Sequence, residues 1–195
     1  MLDNLKKYNI VLASNSPRRR ELLAGLGIDF IVKVIADIDE SYPDSIDASE
    51  VAQYIAEKKA KAYQAMLHDD SLVITADTVV IVYNHIFGKP KDESEATAML
   101  SAISGRSHHV VTGVCIMTKE SRRCFSVTTE VTFATLSPEE IDYYVCKYRP
   151  FDKAGAYGIQ EWIGYIGVTG INGSYFNVMG LPVQRIWQEL QLMCD

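Results

Sequence analysis

The chain has 195 residues, of which 48% are hydrophobic and 23% are charged, a composition typical of a globular domain with one substantial core. Nineteen lysines and arginines against 25 acidic residues give a formal net charge of -6, which argues against a broad basic face for nucleic acid. No apolar run approaches the roughly 20 residues that span a bilayer, and residues 1–9 are too polar for a signal peptide. We therefore expect a cytoplasmic protein that binds neither nucleic acid nor a membrane.

The cysteines and histidines show no metal-binding pattern. The four cysteines contain no C-x-x-C pair, and the four histidines match no H-E-x-x-H motif, so we expect no zinc site. We expect reduced thiols, as in cytoplasmic proteins, at Cys115, Cys124, Cys146 and Cys194.

Hydrophobic periodicity and capping residues predict the elements of the first half of the chain. These are a strand at 8–13, a helix at 18–26 with Ser16 as its N-cap, a strand at 30–35, a helix from Asp47 or Ser49 to about Met66, and strands at 71–75 and 79–83.

The second half continues with a helix at 94–103 and a long hairpin of strands at 110–118 and 125–136. A capping box formed by Ser137, Pro138 and Glu140 begins the next helix. Loops and short strands are expected in the glycine-rich segment 153–182, and an amphipathic helix at 183–192. This order predicts a single α/β domain over 1–195, with two lobes and a sheet of mixed direction.

Three arginines occupy the first turn of the predicted helix at 18–26, where the helix dipole disfavours positive charge. The preceding loop, with Ser14 and Ser16, supplies hydroxyls and backbone N–H groups of the kind that bind phosphate at a strand-to-helix turn. Arg18, Arg19 and Arg20 therefore indicate either an anion site or a solvated basic patch.

A lysine lies in the apolar half of the helix that ends near residue 66. At 100° per residue, Lys59 falls among the apolar positions, whereas Lys58 and Lys61 fall on the polar face and are expected to be solvated. Lys59 must either extend to the rim or meet a buried anion. The apolar half contains Val51, Ala52, Ile55, Ala56, Ala60, Ala62, Tyr63 and Met66.

Acidic residues follow two predicted strands, where α/β folds place chemistry. Asp37, Asp39, Glu40 and Asp44 follow one strand, and Asp77 follows another. Beside a phosphate site such carboxylates favour Mg²⁺ or Mn²⁺, although each acid alone is equally consistent with a turn or a helix cap.

Two further segments carry polar groups on constrained backbone. Lys89 lies between Gly88 and Pro90, and Gln160 ends the small-residue segment 152–160. An amide can donate and accept at once, which suits the edge of a nucleobase, but the segment is also consistent with a tightly packed glycine-rich turn.

Together, five segments resemble the Maf family of nucleotide pyrophosphatases over almost the whole chain. The D-K-A-G-A-Y-G-I-Q segment is similar to the branch that acts on dTTP and UTP. The matching segments are S-N-S-P-R-R at 14–19, A-D-T-V-V at 76–80, G-K-P at 88–90, residues 152–160 and G-L-P at 180–182.

The resemblance implies a fold related to the inosine triphosphate pyrophosphatases, with a cleft between two lobes. It also implies metal-dependent hydrolysis of a nucleoside triphosphate to monophosphate and pyrophosphate, as sanitation of the nucleotide pool, and the capacity to form a homodimer. The resemblance implies that Asp77 is the proton acceptor, with a competing role as metal ligand, and that Glu40 is a metal ligand. It implies that base specificity depends on Arg18, Thr78 and Gln160. The residues that it places at the phosphates are Ser14, Arg19, Lys59 and Lys89.

Two departures from the family pattern border the expected base site: Glu161 stands where glycine is usual, and Arg149 where an acid is common. Because a new charge there would alter discrimination without removing the phosphate-binding residues, they affect base preference more than reaction type. Two other functions stay open: a non-catalytic nucleotide-binding regulator of cell division, and a phosphatase that releases inorganic phosphate.

Overall fold

The computed structural model describes residues 3–193. Its strands are β1 (Asn9–Leu12), β2 (Ile31–Val32), β3 (Ser71–Val82), β4 (His85–Phe87), β5 (Ser107–Met117), β6 (Arg122–Phe133) and β7 (Val168–Asn172). Its α-helices are α1 (Pro17–Ala24), α2 (Ala48–Tyr63), α3 (Glu93–Ile103), α4 (Pro138–Tyr148), α5 (Trp162–Gly167), α6 (Tyr175–Val178) and α7 (Val183–Leu192), and short 3-10 helices lie at Asp3–Lys7, Gln64–Met66 and Ala154–Ala156.

The strands of the described part form one sheet in the order β2-β1-β3-β5-β6-β7, with β4 paired to β3. β1 pairs in parallel with β2 and β3, whereas β3–β4 and β6–β7 are antiparallel. The sheet is therefore mixed and the fold is α/β, as the sequence predicts.

The chain divides into two compact units. The first unit comprises the described residues up to Asp77, Thr112–Val127 and the described residues from Gly180 onward. The second unit comprises Thr78–Val111 and Thr128–Met179.

In the first unit, α2 packs with its backbone close to the sheet. A Cβ added to Gly113 of β5 would lie 2.3 Å from the backbone of Ala52, so only glycine permits this approach. The buried Thr75 of β3 donates from Oγ1 to the carbonyl of Ala56, at 2.6 Å. These contacts set the height of α2 over β3, and with it the position of Lys59.

In the second unit, α3 and α4 pack on one apolar core, in which Leu100, Ile103, Tyr144 and Ile163 are fully buried. The predicted capping box is present at the start of α4: Ser137 Oγ accepts from the backbone N–H of Glu140, whose carboxylate accepts from the N–H of Ser137.

Several predicted boundaries are wrong. Residues 71–82 form one continuous strand, and β2 is two residues long. The segment 153–182, predicted as loops and short strands, contains α5 and α6. β3 continues through the polar pair Asp77 and Thr78, although the side-chain pattern alone suggests a break there.

The cysteine prediction also needs correction. The structure pairs Cys115 of β5 with Cys124 of β6 in a disulfide, because residues on adjacent strands meet directly across the hairpin. Cys146 is free and exposed, and Cys194 lies outside the described residues. No helix within residues 3–193 is long and apolar enough to cross a membrane.

Candidate active site

The loop after β1 has the strand-to-helix form that the sequence predicts. Ser14 is buried, and its Oγ accepts a hydrogen bond from the backbone N–H of Ser16 at 3.2 Å. Ser16 is the N-cap of α1, and its Oγ accepts from the N–H of Arg19 at 3.4 Å. Pro17 occupies the first turn, which contains no acidic residue. The positive charge of this turn must therefore be compensated by groups outside the helix.

The contacts of the Arg19 side chain show how one of these positive charges is compensated. Its Nε donates to the carbonyl oxygen of Gly180 at 2.8 Å, and its Nη1 donates to that of Ala76 at 2.9 Å. Burial lowers the pKa of Arg19 from its ordinary value, while the negative charges of Asp77 and Glu40 oppose that shift. Two backbone carbonyls thus fix the guanidinium beside two carboxylates.

Lys59 meets these same carboxylates. Its Nζ lies 2.8 Å from Asp77 Oδ1 and 2.9 Å from Glu40 Oε1. The side chains of Lys59 and Asp77 are 15% and 14% exposed, whereas that of Glu40 is 54% exposed. Of the two alternatives for Lys59, the structure therefore shows the partly buried ion pair.

The predicted face of α2 is largely correct. Six of its members are buried. Ala62, in the last turn of the α-helix, and Met66, in the 3-10 turn that follows it, are exposed. Lys58 lies on the polar face, as expected, where it forms an exposed ion pair. Its Nζ lies 2.6 Å from Asp39 Oδ2, and this hydrogen bond holds the pKa of Asp39 well below its usual range.

Asp77 lies in the middle of β3, not after a strand as predicted. Asp77 and Thr78 are nevertheless partly accessible, because both are half-buried whereas the residues on either side of them in β3 are buried. A carboxylate at this point is held by strand backbone on each side, so its place is fixed more firmly than it would be in a loop.

The carboxylates of Glu40 and Asp77 are oxygen donors of the kind that hard cations prefer. Both contact the same positive charge, the ammonium of Lys59. Within residues 3–193 no group of three or more His, Cys, Asp or Glu is arranged to hold a metal. Mg²⁺ and Mn²⁺ fit such a pair only when ligand phosphates and water complete the coordination. The residues therefore fit a metal that binds together with a phosphate ligand.

Arg18 lies in the first turn of α1, in the first unit, whereas Thr78, Lys89 and Gln160 belong to the second unit. Thr78 is the first residue of that unit and lies within β3. Lys89 is exposed in the turn after β4, and this turn is tied to the segment 152–160 because Gly155 N–H donates to the carbonyl of Gly88 at 3.0 Å. The Oε1 atom of Gln160 is buried and, among the described residues, has no hydrogen-bond partner. An unpaired buried acceptor of this kind is costly unless a ligand satisfies it.

Sequence reasoning noted Glu161 beside Gln160 but missed its partner Tyr144 and the contacts that they make. The carboxylate of Glu161 accepts from Tyr144 Oη and lies 3.1 Å from Lys153 Nζ, and Tyr144 Oη accepts from the N–H of Gly158 at 3.0 Å. A Cβ on Gly158 would lie 2.9 Å from Glu161 Cδ and 3.1 Å from Gln160 Nε2. Glycine at this position therefore leaves room for both side chains to pack against the backbone.

The charge of Glu161 is thus paired inside the second unit. Only its departure from the family pattern could have drawn attention to it from the sequence. Burial and the Glu161 hydrogen bond raise the pKa of Tyr144, so Tyr144 stays a proton donor. The other departure, Arg149, caps α4 and lies 3.5 Å from Glu93.

Comparisons with known proteins identify the family of this chain. A family model described as Maf-like protein matches residues 9–193, and the chain belongs to this family. It is 64% identical over 191 residues to a dTTP/UTP pyrophosphatase of Parabacteroides distasonis, which covers 98% of this chain and 99% of that protein. It is 60% identical, with the same coverage, to a dTTP/UTP pyrophosphatase of Phocaeicola vulgatus.

The fold is also found in a solved structure, that of the Staphylococcus aureus Ham1 protein. The TM-score is 0.57 at 18% identity, and the match covers 95% of this chain and 99% of that chain. The predicted fold class is thereby confirmed.

Proposed function

We propose that this protein hydrolyses nucleoside triphosphates, dTTP and UTP above all, to the monophosphate and pyrophosphate, and so clears these nucleotides from the cytoplasmic pool. The observation that carries the proposal is the convergence of Lys59, Asp77 and Glu40 beside the fixed guanidinium of Arg19. Membership of the Maf-like family and the names of its close relatives support the choice of substrate.

Asp77 is the residue proposed to orient and deprotonate the attacking water. Its Oδ1 is occupied by Lys59, which fixes the carboxylate in one orientation. A carboxylate bound to a cation is a weaker base than a free one, so proton transfer is favoured when Lys59 turns toward the phosphates. On this proposal Lys59 exchanges a carboxylate partner for a substrate phosphate.

The leaving pyrophosphate gathers negative charge, and preorganised cations stabilise that charge more in the transition state than in the ground state. Arg19 is suited to this task because its guanidinium is already held by two carbonyls and needs little ordering. Arg18, Lys59 and Lys89 supply further positive charge, and Ser14 supplies a hydroxyl.

Glu40 and Asp77 are proposed to hold a divalent cation, Mg²⁺ or Mn²⁺, which when bound neutralises charge on the phosphate oxygens. Gln160, with Arg18 and Thr78, is proposed to read the base. The buried, unpaired Oε1 of Gln160 supports this role, since an amide can bond the edge of a pyrimidine.

The test compares wild type, Asp77→Asn and the control Asp142→Asn with dTTP, UTP, CTP and GTP in the presence of Mg²⁺, and separates pyrophosphate from phosphate. Asp142 is exposed on α4, so its variant should behave as wild type. Pyrophosphate from dTTP or UTP, lost only in Asp77→Asn, is the expected result.

Release of inorganic phosphate instead would indicate a phosphatase. Nucleotide binding without turnover in any of the three proteins would indicate a regulator. The homodimer is proposed on the family resemblance alone, and the mass measured by light scattering in solution tests it.

A further inference from the structure

Two neighbouring lysines of α2 hold two neighbouring acids of the loop that joins β2 to α2. Lys58 Nζ lies 2.6 Å from Asp39 Oδ2, and Lys59 Nζ lies 2.9 Å from Glu40 Oε1. Successive side chains of a helix diverge by about 100°, so one lysine reaches the solvent side of the loop and the other its inner side. Only the inner pair includes residues already assigned to the reaction.

The outer contact is a network centred on one ammonium. Lys58 Nζ also donates to the backbone carbonyl of Ser41 at 2.9 Å and contacts Ser41 Oγ at 3.2 Å. Asp39 in turn accepts from the N–H of Ser41 at 2.9 Å and from Ser41 Oγ at 2.8 Å. The residues before and after Glu40 are therefore tied to each other and to α2.

Before Asp39 the loop is anchored by Ile35 and Ile38, which pack against the apolar cluster around Tyr63, and by hydrogen bonds of the Tyr63 hydroxyl to the backbone of residues 33 and 35. From Asp39 to Ser41 the loop is held by Lys58 and Lys59. Glu40 and the residues on either side of it are exposed, and this part of the loop is neither helix nor strand. A free glutamate in such a loop samples many backbone and side-chain conformations, and a carboxylate must be confined before it can bind a cation in one geometry. An ion pair as exposed as Lys58–Asp39 adds little to global stability, so its effect is local.

We propose that Lys58 is a positioning residue: through Asp39 and Ser41 it holds the loop in the conformation that places the Glu40 carboxylate beside Asp77. Its effect on the reaction rests on the proposed function, because it acts through the metal that Glu40 and Asp77 are proposed to share. Its effect on the loop does not depend on that function.

The test uses full-length Lys58→Ala, the conservative Lys58→Arg and the control Lys61→Ala. Lys61 lies on the same helix and contacts Glu57 only loosely, at 3.5 Å. The first readout needs neither metal nor nucleotide: it is the rate at which endoproteinase Glu-C cleaves the bond between Glu40 and Ser41, followed by mass spectrometry. We expect about a tenfold increase in Lys58→Ala, because local opening exposes the bond.

The second readout is the affinity for Mn²⁺, measured by electron paramagnetic resonance with a dUTP analogue whose α–β bridge resists hydrolysis. Loss of groups that orient a metal ligand typically weakens binding by about tenfold or more, and we expect this in Lys58→Ala, with near-recovery in Lys58→Arg. The concentration of Mg²⁺ at half-maximal rate should rise in parallel, while the maximal rate at saturating Mg²⁺ changes less.

The two readouts together decide the proposal. Cleavage after Glu40 that stays within about twofold of wild type would show that Lys58 does not hold the loop. Faster cleavage with unchanged Mn²⁺ affinity would show that Glu40 does not depend on it, and would overturn the proposal equally.

Asp39→Asn removes the same ion pair from the loop side, and the double variant should be no worse than either single one. A wild type that hydrolyses no triphosphate would refute the proposed function, whereas the cleavage rates would still test the hold of Lys58 on the loop.

Discussion

Lys59 Nζ and Asp77 Oδ1 lie 2.8 Å apart across the gap between α2 and β3, and each side chain is about 15% exposed. Removing such a charge pair from water costs free energy, so a partly buried pair is expected where its geometry is good or where it has a function. Arg19 stands beside the pair with its guanidinium bonded to two carbonyls, so the site concentrates positive charge next to the candidate base.

Replacement of Lys59 should therefore reduce the reaction strongly. We expect Lys59→Ala to lower kcat/KM for dTTP by about 100-fold, because a preorganised cation at the leaving phosphates is lost. Lys61→Ala, a change of the same kind on the exposed side of α2, should stay within about twofold. Steady-state kinetics on purified proteins gives both values, and similar losses in the two variants would remove Lys59 from the site.

Replacement of Gln160 should change the preference among nucleoside triphosphates more than the overall rate of hydrolysis. In Gln160→Ala we expect the ratio of kcat/KM for dTTP to that for CTP to fall by about tenfold, because the amide that satisfies the base edge is lost. Gln188→Ala, on the exposed side of α7, is the control. Competition between the two triphosphates measures the ratio directly, and an unchanged ratio would show that Gln160 does not contact the base.

Tyr144 should be important for the stability of the segment that carries Gln160. Tyr144→Phe leaves the N–H of Gly158 and the carboxylate of Glu161 without their common partner, so we expect the free energy of unfolding to fall by about 1–3 kcal/mol. Tyr143→Phe changes an exposed neighbour on the same helix and should cost less than about 0.5 kcal/mol. Urea unfolding of both variants checks this, and equal losses would argue against the network.

His108 should make stability depend on pH in the acid range. Burial lowers the pKa of His108 to about 4, with a smaller effect of His109, and its Nε2 is hydrogen-bonded to Tyr157 Oη at 2.8 Å. The unfolded chain takes up this proton below pH 6.5 but the folded protein only below about 4, so stability is lost as the pH falls between these values. The loss amounts to about 1.4 kcal/mol per pH unit within that window.

His108→Gln removes this titration. Urea unfolding at pH 7, 6 and 5 should therefore give a shallower decline for His108→Gln than for wild type, whereas His109→Gln, at an exposed neighbour, should keep the wild-type slope. Parallel slopes for wild type and His108→Gln would mean that His108 does not carry the dependence.

Local sequence predicted the elements that local chemistry stabilises. The helix at 183–192 has the observed bounds because its apolar period is strong. The N-cap at Ser16 and the capping box at Ser137 form as predicted because their hydrogen bonds join residues only three positions apart. The apolar face of α2 likewise indicated that Lys59, and not Lys61, points toward the sheet.

The partners of those residues depended on tertiary structure. Lys58 meets Asp39 and Tyr144 meets Glu161 because separate segments are brought side by side, and no local pattern encodes which segments those are. The continuity of β3 through Asp77 was likewise not predictable from the local pattern of side chains. The sequence by itself thus determined which side chains carry charge and which face they occupy, whereas the packing of α2 on the sheet decided which carboxylates those charges meet.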